Sequence, residues 1–143
     1  MNLARPLWLS LALACSPAWS VTLISPEEAS LAPAAPTMAT RGISRGPGVR
    51  MLAPQSTEVR SPFDFKVAFE ARGGSKIDPS SVKVVYLRAQ PVDLSARVRA
   101  VVSDQGLHLI GAETPPGEHQ IQISVQDSEG RVGQTIVQLK VVK

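Results

Sequence analysis

Cysteine is nearly missing from this chain: Cys15 is the single thiol among 143 residues. Aromatics are scarce as well, with two tryptophans, one tyrosine and three phenylalanines. Trp8, Cys15 and Trp19 all fall within the first twenty residues. A chain that loses this segment keeps neither cysteine nor tryptophan, which excludes disulfides, thiolate metal sites and a cysteine nucleophile. Any core it builds must be stable without covalent staples. Strong charge of one sign is absent too, because 15 Lys and Arg face 12 Asp and Glu for a formal +3. Cations alternate with apolar residues instead of clustering, so the basic balance is not a nucleic-acid footprint.

The first twenty residues read as an export signal, expected to be removed after Ser20. Arg5 supplies a positive start, Leu7 to Cys15 forms a short apolar stretch, and Ala18-Trp19-Ser20 places small residues at the −3 and −1 positions. The stretch is too short to span a bilayer, which takes about 20 apolar residues. Removal leaves no stable membrane span and directs the chain to the periplasm or to secretion. Cys15 also raises a lipid-modified N-terminus, although Ala12-Leu13-Ala14 is a poor match to the motif that would direct it. Processing after Ser20 would leave 123 residues and, with Arg5 gone, a net charge of +2.

Residues 21–47 read as a flexible linker. Pro26, Pro33, Pro36 and Pro47 interrupt a stretch of Ala, Ser and Thr, and no apolar period survives. Ser25, Pro26 and Glu28 match the N-cap, N1 and N3 positions of a single helical turn, but a loosely extended segment is the expectation.

Residues 48–143 read as one all-β domain. Phe63, Phe65, Val67, Phe69 and Ala71 alternate with Asp64, Lys66, Ala68 and Glu70, which demands one buried and one wet face. Ile77-Asp78-Pro79-Ser80-Ser81 reads as a turn and Val82 to Leu87 as a central strand. Asp93 can cap a short helical turn, and Val98 to Val102 then reads as a strand, followed by a turn at Asp104-Gln105-Gly106 and a strand over Leu107 to Ile110. The clearest signal is the closing hairpin from Pro115 to Lys143. There His119, Ile121, Ile123 and Val125 share one face, as do Val137, Leu139 and Val141 beyond the Asp-Ser-Glu-Gly turn. About seven short strands at this spacing predict a sandwich or barrel.

Gly117, His119, Ile121, Ile123, Val125, Asp127, Gly130 and Arg131 resemble the last two strands of bacterial immunoglobulin-like and cadherin-like domains. Those commonly end in Gly, an aromatic, three alternating apolar residues, Asp and a turn Gly. Ile77-Asp78-Pro79-Ser80-Ser81-Val82 resembles an earlier loop-to-strand entry of the same group. The resemblance covers roughly Val49 to Lys143. It implies a single immunoglobulin-like antiparallel β-sandwich serving adhesion, spacing, binding or an accessory role. His119 stands where an aromatic is usual, and Arg131 where Asn is frequent.

Chemistry-bearing clusters are sparse. Asp78, Asp93, Asp104, Asp127 and Glu129 lie in turns and would need to converge to hold Ca²⁺, which takes six to eight oxygens. Turn chemistry explains each of them separately. His108 and His119 are too few for a Zn²⁺ or Cu²⁺ site of three or four ligands. No serine sits in a nucleophile elbow, and the two histidines offer little choice of base. No catalytic residue, metal or cofactor is therefore expected. Arg97 and Arg99 fall on one face of the expected strand near Arg88. Together the three form the candidate partner-binding cluster, since guanidinium groups receive carboxylates or phosphates as forks. The expectation is an exported, non-catalytic module that binds a protein of the cell envelope. The competing expectation is an accessory protein that takes a divalent metal or a glycan at its loops.

Overall fold

The computed structural model describes residues 20–36 and 45–143. The expected export signal lies outside them except for Ser20, as do residues 37–44 of the expected linker. In chain order the described residues form β1 (Val21–Thr22), the helical turn α1 (Pro26–Ala29), β2 (Gly48–Ala53), β3 (Glu58–Arg60), β4 (Phe63–Glu70) and β5 (Ile77–Tyr86). There follow β6 (Val92–Asp93), the helical turn α2 (Ser95–Val98) with a 3-10 turn (Arg99–Val101), β7 (Gly106–Glu113), β8 (Gly117–Asp127) and β9 (Val132–Val142). The fold is all-β, with two sheets of order β1-β7-β4-β2 and β3-β9-β8-β5-β6.

Side-chain alternation dictates the two faces of each sheet. Along β4, Phe63, Phe65, Val67 and Phe69 are buried while Asp64, Lys66 and Glu70 are exposed, as period 2 requires. Along β8, His119, Ile121, Ile123 and Val125 point inward, and on β9 Val137, Leu139 and Val141 do so, opposite Ile121, His119 and Gly117 respectively. These residues join Val84, Tyr86, Leu107 and Leu109 in one apolar core fed by both sheets. Where β9 begins, a Cβ on Gly133 would overlap the Pro47 carbonyl, so only glycine lets the entry to β2 pass so close.

Several expectations change. Nine strands are present among the described residues instead of about seven. The sheets are mixed, because β1 runs parallel to β7 and β3 parallel to β9. Ile77 to Ser81 belongs to β5, and its turn chemistry builds a bulge between Asp78 and Lys83. There Ser81 Oγ donates to the Asp78 carbonyl at 2.6 Å and accepts from the Gln126 N–H at 2.8 Å, patching the interrupted ladder. Val98 to Val102 is no strand. Leu94 and Val98, four apart and fully buried, use helical spacing to reach the core. Asp93 Oδ1 accepts the Ser95 N–H at 2.8 Å at the entry to that turn.

The largest change concerns residues 21–36, which pack onto the domain. Val21 and Thr22 extend the edge of β7, and Leu23 and Ile24 are fully buried in the core. All three apolar residues precede Pro26, so the Pro- and Ala-rich average of the longer segment conceals them. Ser25 then caps α1 through a complete capping box with Glu28. Further on, Pro33 bridges Arg88, and the Ala89 N–H donates to the Ala32 carbonyl at 2.9 Å. The arm thus runs from the β7 edge of one sheet to the far end of β5 in the other.

Candidate functional site

The three arginines do not share a strand face. Arg97 lies in α2, where its guanidinium forks onto Glu28 at 2.7 and 2.6 Å. The same Nη1 also donates to the Leu23 carbonyl at 2.8 Å. Hydrogen bonds from Arg97 hold the Glu28 carboxyl at about 2, below its ordinary 4.5, against the upward push of its burial. Glu28 in turn raises the Arg97 pKa. A guanidinium spent on an internal carboxylate and carbonyl is a fastener for the arm, not an open anion receptor.

Arg88 heads a polar chain into the core. It lies 4.8 Å over the Tyr86 ring, and its Nε donates to the Tyr86 hydroxyl at 2.6 Å, with Nη2 on the same oxygen. His119 Nε2 faces the Pro115 carbonyl at 2.8 Å, which can only accept, so Nε2 carries the proton. Nδ1 is left to accept from the Tyr86 hydroxyl at 2.8 Å. Burial, with the nearby Arg88 charge, lowers the His119 pKa and keeps the ring neutral. Burial also raises that of Tyr86, against the pull of Arg88. Both nitrogens of His119 are bonded, which satisfies a buried polar group.

Arg99 sits at the 3-10 turn, beside a cleft of about 310 Å³ lined also by Pro79, Ser80, Val82, Ser95 and Val102. It is the exposed member of the trio, and among the described residues it forms no ion pair within 4.0 Å.

The turn carboxylates serve their own turns. Asp127 is fully buried and accepts the N–H groups of Glu129 and Arg131 at 3.0 and 2.9 Å, while its second oxygen pairs with Arg131 Nε at 2.9 Å. Burial pushes its carboxyl up, but these donors outweigh it and hold it below the ordinary range. Asp93 is held low mainly by its bonds from Ser95, and Asp78 accepts from Ser80. Among the described residues no three His, Cys, Asp or Glu side chains group as metal ligands. His108 points outward from the four-stranded sheet and His119 inward from the five-stranded one, so the core separates them.

The remaining features belong to the sheets as surfaces. Of the four edge strands among the described residues, β1 and β6 have two residues and β3 has three, whereas β2 has six. The outward face of β8 and β9 carries Gln120, Gln122, Ser124 and Gln126 beside their register partners Gln138, Ile136, Gln134 and Val132. The alternation already visible in the sequence marks this glutamine face, but not that it lies in the middle of a sheet.

No helix among the described residues is long and apolar enough to cross a membrane. No family model matches the chain, and no curated protein matches it. Among solved structures, the crystal structure of an engineered protein aligns at 14% identity and a TM-score of 0.46, over 68% of this chain. The alignment spans 20% of that engineered chain, about a fifth of its length, and a likeness this weak defines neither fold nor function.

Proposed function

We propose that the chain is an exported, non-catalytic, immunoglobulin-like module that binds a protein partner in the cell envelope by strand addition at β2. Support for the immunoglobulin-like reading comes from strand order. β2, β4 and β7 follow the A-B-E order of such a sandwich, and β9, β8 and β5 follow G-F-C, with β1 where strand D would lie. The observation that carries the binding reading is the length of β2. A bare edge presents unpaired N–H and C=O groups to an incoming strand, and natural folds blunt such edges by keeping them short. Three of the four edges here have two or three residues; β2 keeps six.

A photoreactive residue replacing Arg50, on the outward side of β2, tests this in the native envelope. A specific protein adduct is expected there, and none from the same residue at Lys83 on the other sheet. Equal labelling at both positions, or none at either, would sink the reading. The second reading, an accessory protein taking a small ligand at its loops, draws on the Arg99 cleft. Stabilisation by an anionic or hydroxyl-rich cell-wall sugar in a thermal-shift series, lost in Arg99→Ala, would favour it, since a guanidinium donates to such oxygens.

A further inference from the structure

We infer that the outward face of the β8–β9 hairpin is a self-association surface whose occupant is the same face of a second copy of this chain. Between Gln120 and Gln126 on β8, and Val132 and Gln138 on β9, the outward side chains are five glutamines, one serine, one isoleucine and one valine. None of them ionises. Charge returns only at the margins. Glu118 stands opposite Lys140 at one end, where Lys140 pairs with Glu58 at 2.7 Å. Lys83 on β5 and Asp93 on β6 bound the far side, close enough for the Lys83 charge to help lower the Asp93 pKa. A neutral centre inside a charged rim is the usual anatomy of a protein interface.

The chemistry of this face selects its occupant. A charged partner would give up hydration against a surface that offers no counter-charge, and a wholly apolar partner would strand the amides. A primary amide both donates and accepts, so an array of amides complements a copy of itself. Twofold contacts require that self-complementarity, since each patch meets its own image. Val132 and Ile136, 52% and 45% exposed, add apolar surface that solvent now covers. Size is adequate. With about 3.4 Å per residue and about 4.8 Å per strand, the hairpin face together with the flanking β5 strand that carries the Lys83 rim measures roughly 37 by 14 Å. Pairing two copies buries on the order of 1,000 Å², the size at which specific interfaces begin.

This contact uses the five-stranded sheet and leaves β2 free on the other, so it stands or falls independently of partner binding. The test is sedimentation velocity of the purified protein over a concentration series, with Gln122→Glu and Gln138→Glu to place like charges across the contact. The protein is expected to dimerise reversibly. Either variant should weaken the dimer by roughly tenfold or more, and Lys66→Glu on the opposite sheet should leave it unchanged. Mixing Gln122→Glu with Gln122→Lys should restore a mixed dimer, which a misfolded variant would not form. A monomer at every concentration, or a dimer indifferent to both glutamates, would overturn the inference.

Discussion

The β8–β9 hairpin carries ten consecutive register pairs, from Gly117↔Val141 to Gln126↔Val132, whereas the β1 arm carries two, Val21↔Ala112 and Thr22↔Glu113. The hairpin closes on itself through a four-residue turn in which Asp127 serves as internal acceptor. Among the described residues, β1 pairs only with the distant β7. The arm is held by two buried side chains, a capping box and a forked ion pair with Arg97. One region is a ladder supported locally; the other is a latch whose attachments, its own capping box apart, are made to distant parts of the chain.

The sharpest way to break the comparison is to empty the arm's pocket. Leu23→Ala should cost about 2–5 kcal/mol, the range for a fully buried leucine, read as a lower midpoint in urea. A cost near zero would return the arm to linker status.

Glu28→Gln comes next. A carboxyl held from 4.5 down to about 2 is linked to up to about 3 kcal/mol at neutral pH. Partial exposure of both partners, 17% for Glu28 and 33% for Arg97, brings the loss nearer 1–2 kcal/mol. The sign follows from the depressed folded-state pKa: this stability is present above pH 4.5 and drains away as pH falls toward 2. Melting temperatures of wild type and variant should therefore converge across that window. Parallel curves would show that the fork does not fasten the arm.

Tyr86→Phe should cost about 1–2 kcal/mol, because it leaves His119 Nδ1 and Arg88 without the hydroxyl they share. The lowered folded-state pKa of His119 means that the unfolded chain takes up its proton first. Wild-type stability should therefore fall as pH drops below 6.5, the ordinary value for histidine. Equilibrium unfolding at pH 7 and pH 5.5 measures both, and His119→Phe should flatten that part of the pH response.

The smallest effects lie at side chains with little to lose. Gln134 accepts one exposed bond from Gln122 at 3.3 Å, so Gln134→Thr should move the stability of the monomer by less than about 0.5 kcal/mol. Among the described residues Thr114 Oγ1 is buried without a partner, so Thr114→Val should stabilise by roughly 1 kcal/mol. Scanning calorimetry resolves the pair, and a loss in Thr114→Val would mean that the hydroxyl is satisfied after all.

The inward phenylalanines of β4 and the two strands of the hairpin were legible because the direction of a strand side chain depends on its immediate neighbours. The helical turn at Ser95–Val98 was harder to see, since Arg97 and Arg99 read equally well at strand spacing. Only the burial of both Leu94 and Val98 decides for the helix. The arginine cluster fared similarly: residue type suggested an anion site, yet Glu28, 69 positions away, already occupies Arg97. Ser25 and Glu28 spelled a capping box in plain view, although a single capped turn is too short to persist without something to pack on.

The amino-acid order by itself determined the all-β class, the inward and outward faces of the long strands and the turn that closes the hairpin, because these follow from contacts a few residues apart. Tertiary structure alone decided that residues 21–24 complete a sheet, that β1 and β3 run parallel to their partners, and that Arg97 is spent internally. Those outcomes depend on surfaces that exist only after distant strands have come together. Val21 can lie beside Ala112 only once β4 and β7 have built the edge that receives it.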